Sequence, residues 1–227
     1  MAARPGRRPF ATLRRFVRRP PADEALERCE LCGAPIAADH RHLLEVGARR
    51  LLCACYACSV LFDRRAASGG KYRLVPERRL HLTDFQMTEA QWQSLYIPVR
   101  LAFCVDSTPA GRAVAYYPSP LGPTEAALRP DTWARLVARN PVLQGLEPDV
   151  EALLLYRAPD HAWYFLVPVD DCYRLVGLLR THWRGLSGGA AVWGQIDAFF
   201  AALQHRATRL PPAPSAARGG DCSELLG

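Results

Sequence analysis

Apolar and polar residues follow two different patterns along the chain, and the first predicts a small hairpin followed by a helix. Residues 42–46 and 50–53 are short, mainly apolar runs on either side of Gly47-Ala48-Arg49, an arrangement typical of a β-hairpin. After Cys55, residues 59–62 form another apolar run without glycine or proline. This run predicts a helix that begins at Cys55–Cys58.

The second pattern extends from Lys71 to about Arg206 and predicts four strands in two pairs. The members of each pair lie on either side of a short turn that contains proline, as expected of antiparallel neighbours. The runs are 99–105 and 113–117, then 152–157 and 162–169.

Helical patterns occupy the segments before, between and after these strands. A capping box at Thr88-x-x-Gln91 predicts a short first helix. A second helix is expected to begin at Asp131 or Thr132 and to stop at Asn140-Pro141, and a third to begin at Asp170 or Asp171. The last carries an apolar stripe over residues 192–203. After the first short helix, the order β-β-α-β-β-α-α predicts an α+β domain, with an antiparallel sheet and helices on one face.

The positive charge of the chain is concentrated near its N-terminal end. The formal net charge is +7, and residues 1–20 contain seven arginines and no acidic residue. The other residues carry 22 basic and 22 acidic side chains, although residues 28–79 alone hold ten basic and five acidic ones. Such a basic segment attracts acidic surfaces of proteins or nucleic acids.

Composition also indicates where the protein works. Arg7-Arg8-Pro9-Phe10 matches the core of a twin-arginine export signal, but arginines follow it where an apolar stretch is needed. No run approaches the roughly 20 apolar residues of a membrane span. The separate cysteines Cys104, Cys172 and Cys222 give no convincing disulfide framework, so we expect a cytoplasmic protein.

The strongest chemical signal is a group of five cysteines within thirty residues. Two pairs, Cys29-x-x-Cys32 and Cys55-x-x-Cys58, have the spacing of a tetrahedral metal site, and Gly33 follows the first as expected of a tight turn. Each loop can place two thiolates about 2.3 Å from one ion. Zinc is therefore the predicted ion. Iron or an iron–sulfur cluster is the alternative, and paired disulfides are a weaker one.

The role of the fifth cysteine, Cys53, stays open at this point. Cys53 and Cys55 lie on the same face of a regular strand, so either can supply the third ligand. Cys53 can equally be a small buried apolar residue. His40 and His42 are further candidate ligands, or neighbours of ligands, or polar residues at the edge of a strand.

One sequence motif matches that of a serine hydrolase, but the secondary structure predicted around it does not. Gly185-x-Ser187-x-Gly189 is followed by Asp197 and His205 in the order of a hydrolase triad. A nucleophile elbow needs a strand before the serine, whereas a helical pattern precedes it here. We assign no catalytic residue and favour a protein that is not an enzyme.

The first cysteine pair, the hairpin and the cysteine-bearing helix together resemble a treble-clef zinc finger. Cys29-x-x-Cys32-Gly33 and Leu52-Cys53-Ala54-Cys55-x-x-Cys58 broadly resemble the treble-clef scaffold of HNH nucleases. Asp39-His40 lies before the hairpin, but no downstream Asn or His matches the rest of that active site. The fold expectation is a small treble-clef-like zinc module followed by an antiparallel-sheet α+β domain.

A likeness to a second family covers roughly residues 26–206. It is carried by five blocks, namely Cys29-Glu30-Leu31-Cys32, His40-Arg41-His42-Leu43, Leu51-Leu52-Cys53-Ala54-Cys55, Tyr117-Pro118-Ser119-Pro120 and Tyr173-Arg174-Leu175-Val176-Gly177-Leu178. These resemble an uncharacterised bacterial family whose genes lie beside those of uptake nickel–iron hydrogenases. The resemblance implies a hydrogenase-linked role.

Four segments follow from these patterns: a basic arm and linker at 1–27, a cysteine-rich metal-binding module at 28–68, an α+β domain at 71–206 and a disordered tail at 207–227. The leading function is a zinc-binding accessory or adaptor protein that docks onto a protein partner. The family resemblance implies that this partner is a hydrogenase subunit or maturation factor. An iron or iron–sulfur redox protein and a nucleic-acid-binding zinc finger are the alternatives.

Overall fold

The computed structural model describes residues 27–119, 121–183 and 189–210, which contain two β-sheets. The predicted basic arm at 1–20 and most of the predicted tail lie outside these residues. Three strands form the smaller sheet and seven the larger, and all pairings except one are antiparallel. The predicted α+β class is confirmed, with the cysteine-rich region preceding the domain of the larger sheet.

The smaller sheet is built on the predicted hairpin. Strands β1 (Arg41–Glu45) and β2 (Arg50–Ala54) pair so that His42 lies opposite Cys53 and Leu43 opposite Leu52. Two helices follow, α1 (Tyr56–Asp63) and α2 (Arg65–Ser68). Strand β3 (Tyr72–Leu74) then pairs with the free edge of β1.

This third strand extends the small sheet beyond residue 68, where the cysteine-rich module was expected to end. The strand is only three residues long, too short for a periodic signal in the sequence. The division of the chain into modules stays a prediction.

The larger sheet has the strand order β10-β4-β9-β8-β5-β6-β7. Its strands are β4 (Leu80–Leu82), β5 (Leu101–Ser107), β6 (Arg112–Ser119), β7 (Gly122–Ala126), β8 (Glu151–Arg157), β9 (Ala162–Pro168) and β10 (Thr208–Leu210). The helices are α3 (Glu89–Gln93), α4 (Pro130–Arg139), a 3-10 helix (Pro141–Gly145), α5 (Val169–His182) and α6 (Gly189–Arg206). All four predicted strands and all four predicted helices of this domain are therefore present.

Helices cover both faces of this sheet, so the expectation of helices on one face is wrong. Leu101, Phe103 and Val105 of β5 pack in the same cluster as α5 and α6. Ala102 and Cys104 point the other way and pack with Leu136 of α4 and with residues near α3. The central strands are continuous apolar runs, as required when a strand is buried on both sides. These continuous apolar runs are the signal in the sequence from which a second layer of helices could have been predicted.

Smaller differences arise at chain reversals and element ends. Helix α4 begins with Pro130 after Arg129, ahead of the expected cap at Asp131 or Thr132, because proline suits the first turn of a helix. Residues 208–210, assigned by composition to the tail, form β10 in parallel with β4. Strand β7, which carries a proline and two polar residues, gave no apolar pattern and lies at the edge of the sheet.

Two arginines between the two sheets form ion pairs with buried carboxylates of the larger domain. Arg78 donates to both carboxylate oxygens of the fully buried Glu151 on β8, at 2.8 and 2.6 Å. Arg79 donates to Asp171 at the start of α5 at 2.5 Å, and Asp171 is also fully buried. Removing one partner of such a pair leaves an uncompensated charge away from water.

We expect Arg79→Ala to lower the free energy of unfolding by about 3 kcal/mol, because the buried Asp171 carboxylate loses its closest partner. Urea unfolding followed by circular dichroism measures the change. Arg135→Ala is the matched control, since Arg135 forms an exposed pair with Asp131 within one helix and its loss costs at most about 0.5 kcal/mol. Equal effects of the two substitutions would contradict the assignment.

Candidate metal centre

The first cysteine pair lies on a tight turn stabilised by backbone hydrogen bonds. The Cys29 amide donates to Ala34 O and the Gly33 amide to Cys29 O, both at 2.8 Å. Gly33 has a φ of +75°, in the left-handed region that glycine adopts without strain. The turn thereby presents Cys29 and Cys32 on one side of the chain.

The second pair lies at the N-terminus of α1. Cys55 is the N-cap residue, and its sulfur accepts a hydrogen bond from the Cys58 amide at 3.4 Å. Cys58 occupies the first turn and is buried. A helix N-terminus offers free amides and a favourable dipole to negative groups, so it suits two thiolates.

These two elements bring the four predicted cysteines together. The sulfurs of Cys29, Cys32, Cys55 and Cys58 all lie within 4.8 Å of one another, and those of Cys32 and Cys55 are 3.7 Å apart. With zinc–sulfur bonds of about 2.3 Å, the edges of a tetrahedral shell are about 3.8 Å long. All seven cysteines among the described residues are free thiols, so paired disulfides are not the arrangement here. The donor set and its spacing fit zinc.

The local electrostatics favour the thiolate form at Cys29. Burial raises its pKa, but amides of Cys55, Cys32 and Leu31 stabilise the anion and bring the pKa down to about 6. At Cys58, burial and the neighbouring sulfurs of Cys32, Cys55 and Cys29 raise the pKa well above its usual range. A bound metal ion would compensate the negative charge of thiolates that lie this close together.

Cys53 lies outside this group of four. The structure places it with His40 and His42, with one ligand atom from each residue within 4.8 Å of the others. Its amide donates to Glu30 Oε2 at 2.7 Å. Burial, followed by the charges of Glu30 and Glu27, raises the pKa of the Cys53 thiol. The hairpin register explains the separation, since β2 ends at Ala54 and Cys55 already caps the helix.

The remaining sequence candidates have other neighbours. Asp197 accepts a hydrogen bond from the Tyr156 hydroxyl at 2.5 Å, His205 is on the same helix, and Ser187 lies outside the described residues. Asp39 is exposed. Asp170 and Asp171 occupy the first turn of α5, the expected helix start, and also contact His42 and Arg79. Sequence reasoning missed both contacts, which join segments more than ninety residues apart.

Comparison with known proteins identifies one family, and the function of that family is unknown. Residues 28–207 match the model of a family described as a family of unknown function (DUF5947). The chain belongs to this family. The matched range includes the four cysteines and the larger sheet, and it agrees with the expected membership of an uncharacterised family. No curated protein and no solved structure matches the chain.

Among the described helices, none is both long and apolar enough to cross a membrane.

Cysteine reactivity should follow burial. In folded protein stripped of metal, we expect iodoacetamide to modify Cys32 and to leave Cys104 and Cys172 intact. Cys32 is exposed, whereas burial raises the pKa of Cys104 to about 12 and that of Cys172 well above its usual value. The protected thiols should react only after unfolding. Peptide mapping by mass spectrometry checks this, and rapid labelling of Cys104 under native conditions would contradict the packing described.

Proposed function

We propose that residues 27–75 form a zinc finger of the treble-clef type. The observation that carries this proposal is the convergence of four sulfurs from a tight turn and a helix N-terminus. The hairpin β1–β2 lies between these two elements in the chain, as in a treble clef. When bound, zinc closes a four-thiolate shell and supplies folding free energy, as structural zinc sites do.

The small buried cluster of this region explains why an ion is needed. It consists of Cys29, Ile36, Leu43, Leu52, Ala54 and Cys58, and two of these six are the proposed ligands. A cluster of this size cannot hold a unit of about fifty residues together unaided. Ligation therefore supplies the links that apolar packing lacks.

We further propose that the protein is a non-enzymatic accessory protein that docks onto a protein partner in the cytoplasm. Free thiols suit a reducing compartment. Helix α1 carries exposed apolar side chains, with Tyr56 at 71% and Leu61 at 52% exposure. The hydrogenase link rests on the sequence likeness described above, and it names the partner to be tested, a nickel–iron hydrogenase subunit or maturation factor.

Nucleic-acid binding is less well supported, because much of the basic charge near the finger is already engaged. Five of the ten basic residues at 28–79 contact carboxylates within the chain, namely Arg50, Lys71, Arg73, Arg78 and Arg79. Phosphate binding depends on basic side chains that are free to replace counterions.

The four-cysteine site should retain one zinc ion per chain after dialysis against a weak chelator, and the protein should be colourless. Cys32→Ala should lose this ion and expose residues 27–75 to proteolysis, while the larger sheet stays folded, since that sheet has its own core. Elemental analysis, absorption spectra and limited proteolysis measure the three effects. Cys222→Ala, which alters a cysteine outside the proposed site, is the matched control. Stoichiometric iron with strong visible absorption would contradict zinc and support the redox alternative.

Docking can be tested by capture from native cells. The tagged full chain should recover a hydrogenase subunit or maturation factor, and deletion of residues 1–20 should weaken capture without changing the zinc content. The physical reason is that seven arginines in this segment attract acidic surfaces and are screened by salt. Mass spectrometry identifies the partners.

The same experiment distinguishes protein docking from nucleic-acid binding. A nuclease treatment should leave capture of the hydrogenase protein unchanged. Recovery of nucleic acid or ribosomal proteins alone, abolished by the nuclease, would overturn the accessory role and favour nucleic-acid binding.

A further inference from the structure

A second group of metal-binding side chains lies on the face of the hairpin that turns toward α5. His42 on β1 is directly opposite Cys53 on β2, so both side chains project from the same face. His40, two residues before His42, shares that face by strand alternation. Leu43 and Leu52 project from the other face and pack in the cluster that contains Cys29 and Cys58.

The donor atoms of this group converge. One ring nitrogen of each histidine and the Cys53 sulfur all lie within 4.8 Å of one another. The two imidazole rings are in contact, with centroids 4.9 Å apart and an edge-to-face arrangement. In a tetrahedral shell such atoms are about 3.3–3.7 Å apart, so an ion would draw them closer by at most about 1.5 Å.

Each histidine is oriented by an acceptor at its Nδ1 atom. His40 Nδ1 is 2.8 Å from Ala37 O and 3.3 Å from Glu27 Oε2. His42 Nδ1 is 3.2 Å from Asp170 Oδ2 on α5. Metal-bound histidines usually donate the other ring N–H to a carboxylate or carbonyl in this way, which fixes the tautomer and leaves Nε2 as the ligand atom.

The His40 side chain is only 9% exposed, and its buried Nε2 atom has no hydrogen-bond partner among the described residues. Buried polar atoms are almost always paired, so an unpaired one calls for an explanation such as an ion. The neighbouring His42 is 25% exposed and Cys53 is partly exposed, which provides a route from solvent.

We propose that His40, His42 and Cys53 bind a second metal ion, a divalent first-row transition metal such as zinc, separate from the four-cysteine site. Imidazole and thiolate together suit ions of intermediate softness. Three protein ligands leave the fourth position of a tetrahedral ion open to water or an added ligand, unlike the closed four-thiolate shell. The ion lies beside Asp170 and so couples the hairpin to the domain of the larger sheet.

Cobalt(II) titration of the metal-free full chain under anaerobic conditions tests this proposal, because cobalt replaces zinc and is coloured. We expect the wild type to bind two equivalents. The tighter one should show the intense sulfur-to-cobalt absorption of four thiolates, and the second a weaker band from one thiolate. Imidazole added to the fully loaded protein should shift the spectrum of the second ion only.

Substitutions of the proposed ligands show which site binds each of the two cobalt equivalents. His40→Gln and Cys53→Ala should each lose the second equivalent, with affinity reduced at least tenfold, and keep the first. Cys32→Ala should lose both equivalents, because His40, His42 and Cys53 lie in the segment that the four-cysteine ion holds folded. His182→Ala is the matched control, since His182 lies on α5 and its Nδ1 atom is 3.0 Å from the Leu178 carbonyl oxygen of the same helix. Circular dichroism verifies that each variant is folded, and His40→Gln serves if Cys53→Ala unfolds.

The two proposals fail in different ways. A single equivalent that is lost in Cys32→Ala and retained in His40→Gln overturns the second site and leaves the four-cysteine site intact. A second equivalent that persists in both His40→Gln and Cys53→Ala also overturns it. A single equivalent with the reverse variant pattern supports the histidine–cysteine site and contradicts the zinc finger.

Discussion

The alternation of side chains along strand β1 ties the parts of this protein together. Leu43 faces the small cluster that contains Cys29 and Cys58, whereas Leu44 belongs to the large core that includes helices α5 and α6. His42, on the same face as Leu44, contacts Asp170 at the start of α5. A slip of one residue in the pairing of β1 and β2 would exchange these faces. Both clusters of metal-binding side chains and the contact between the two sheets therefore depend on this single register.

Polar contacts fix the small sheet against the larger one. Arg73 on β3 donates to Pro148 O at 2.6 Å, and the Tyr173 hydroxyl on α5 donates to Arg49 O at 2.9 Å. Arg78 and Arg79, between β3 and β4, reach Glu151 and Asp171. Buried charges contribute little net stability, but each constrains its partner to one position, since a misplaced charge would stay uncompensated. These contacts fix the orientation of the cysteine-rich region relative to the larger sheet.

The two groups of potential ligands differ in chemistry although they share the strand β2 and its end. Four thiolates form a closed set beside a helix N-terminus, where amides stabilise their charge. The group of His40, His42 and Cys53 has mixed donors and carboxylates behind its imidazoles. The first arrangement suits a structural ion, and the second suits an ion that exchanges a ligand.

Local patterns in the sequence determined the elements of the fold. The C-x-x-C spacing, the turn at 47–49 and the apolar runs identified the cysteine group, the hairpin, and four strands and four helices of the larger domain, because these signals depend on neighbours a few residues away. The order of the strands, the second helical layer and β10 were decided by tertiary structure. So was the separation of Cys53 from Cys55, which sequence reasoning left open. The contacts from Arg79 to Asp171 and from His42 to Asp170 span 92 and 128 positions. The periodicity of the sequence cannot predict such ion pairs, since they form only when packing of the core has positioned both segments.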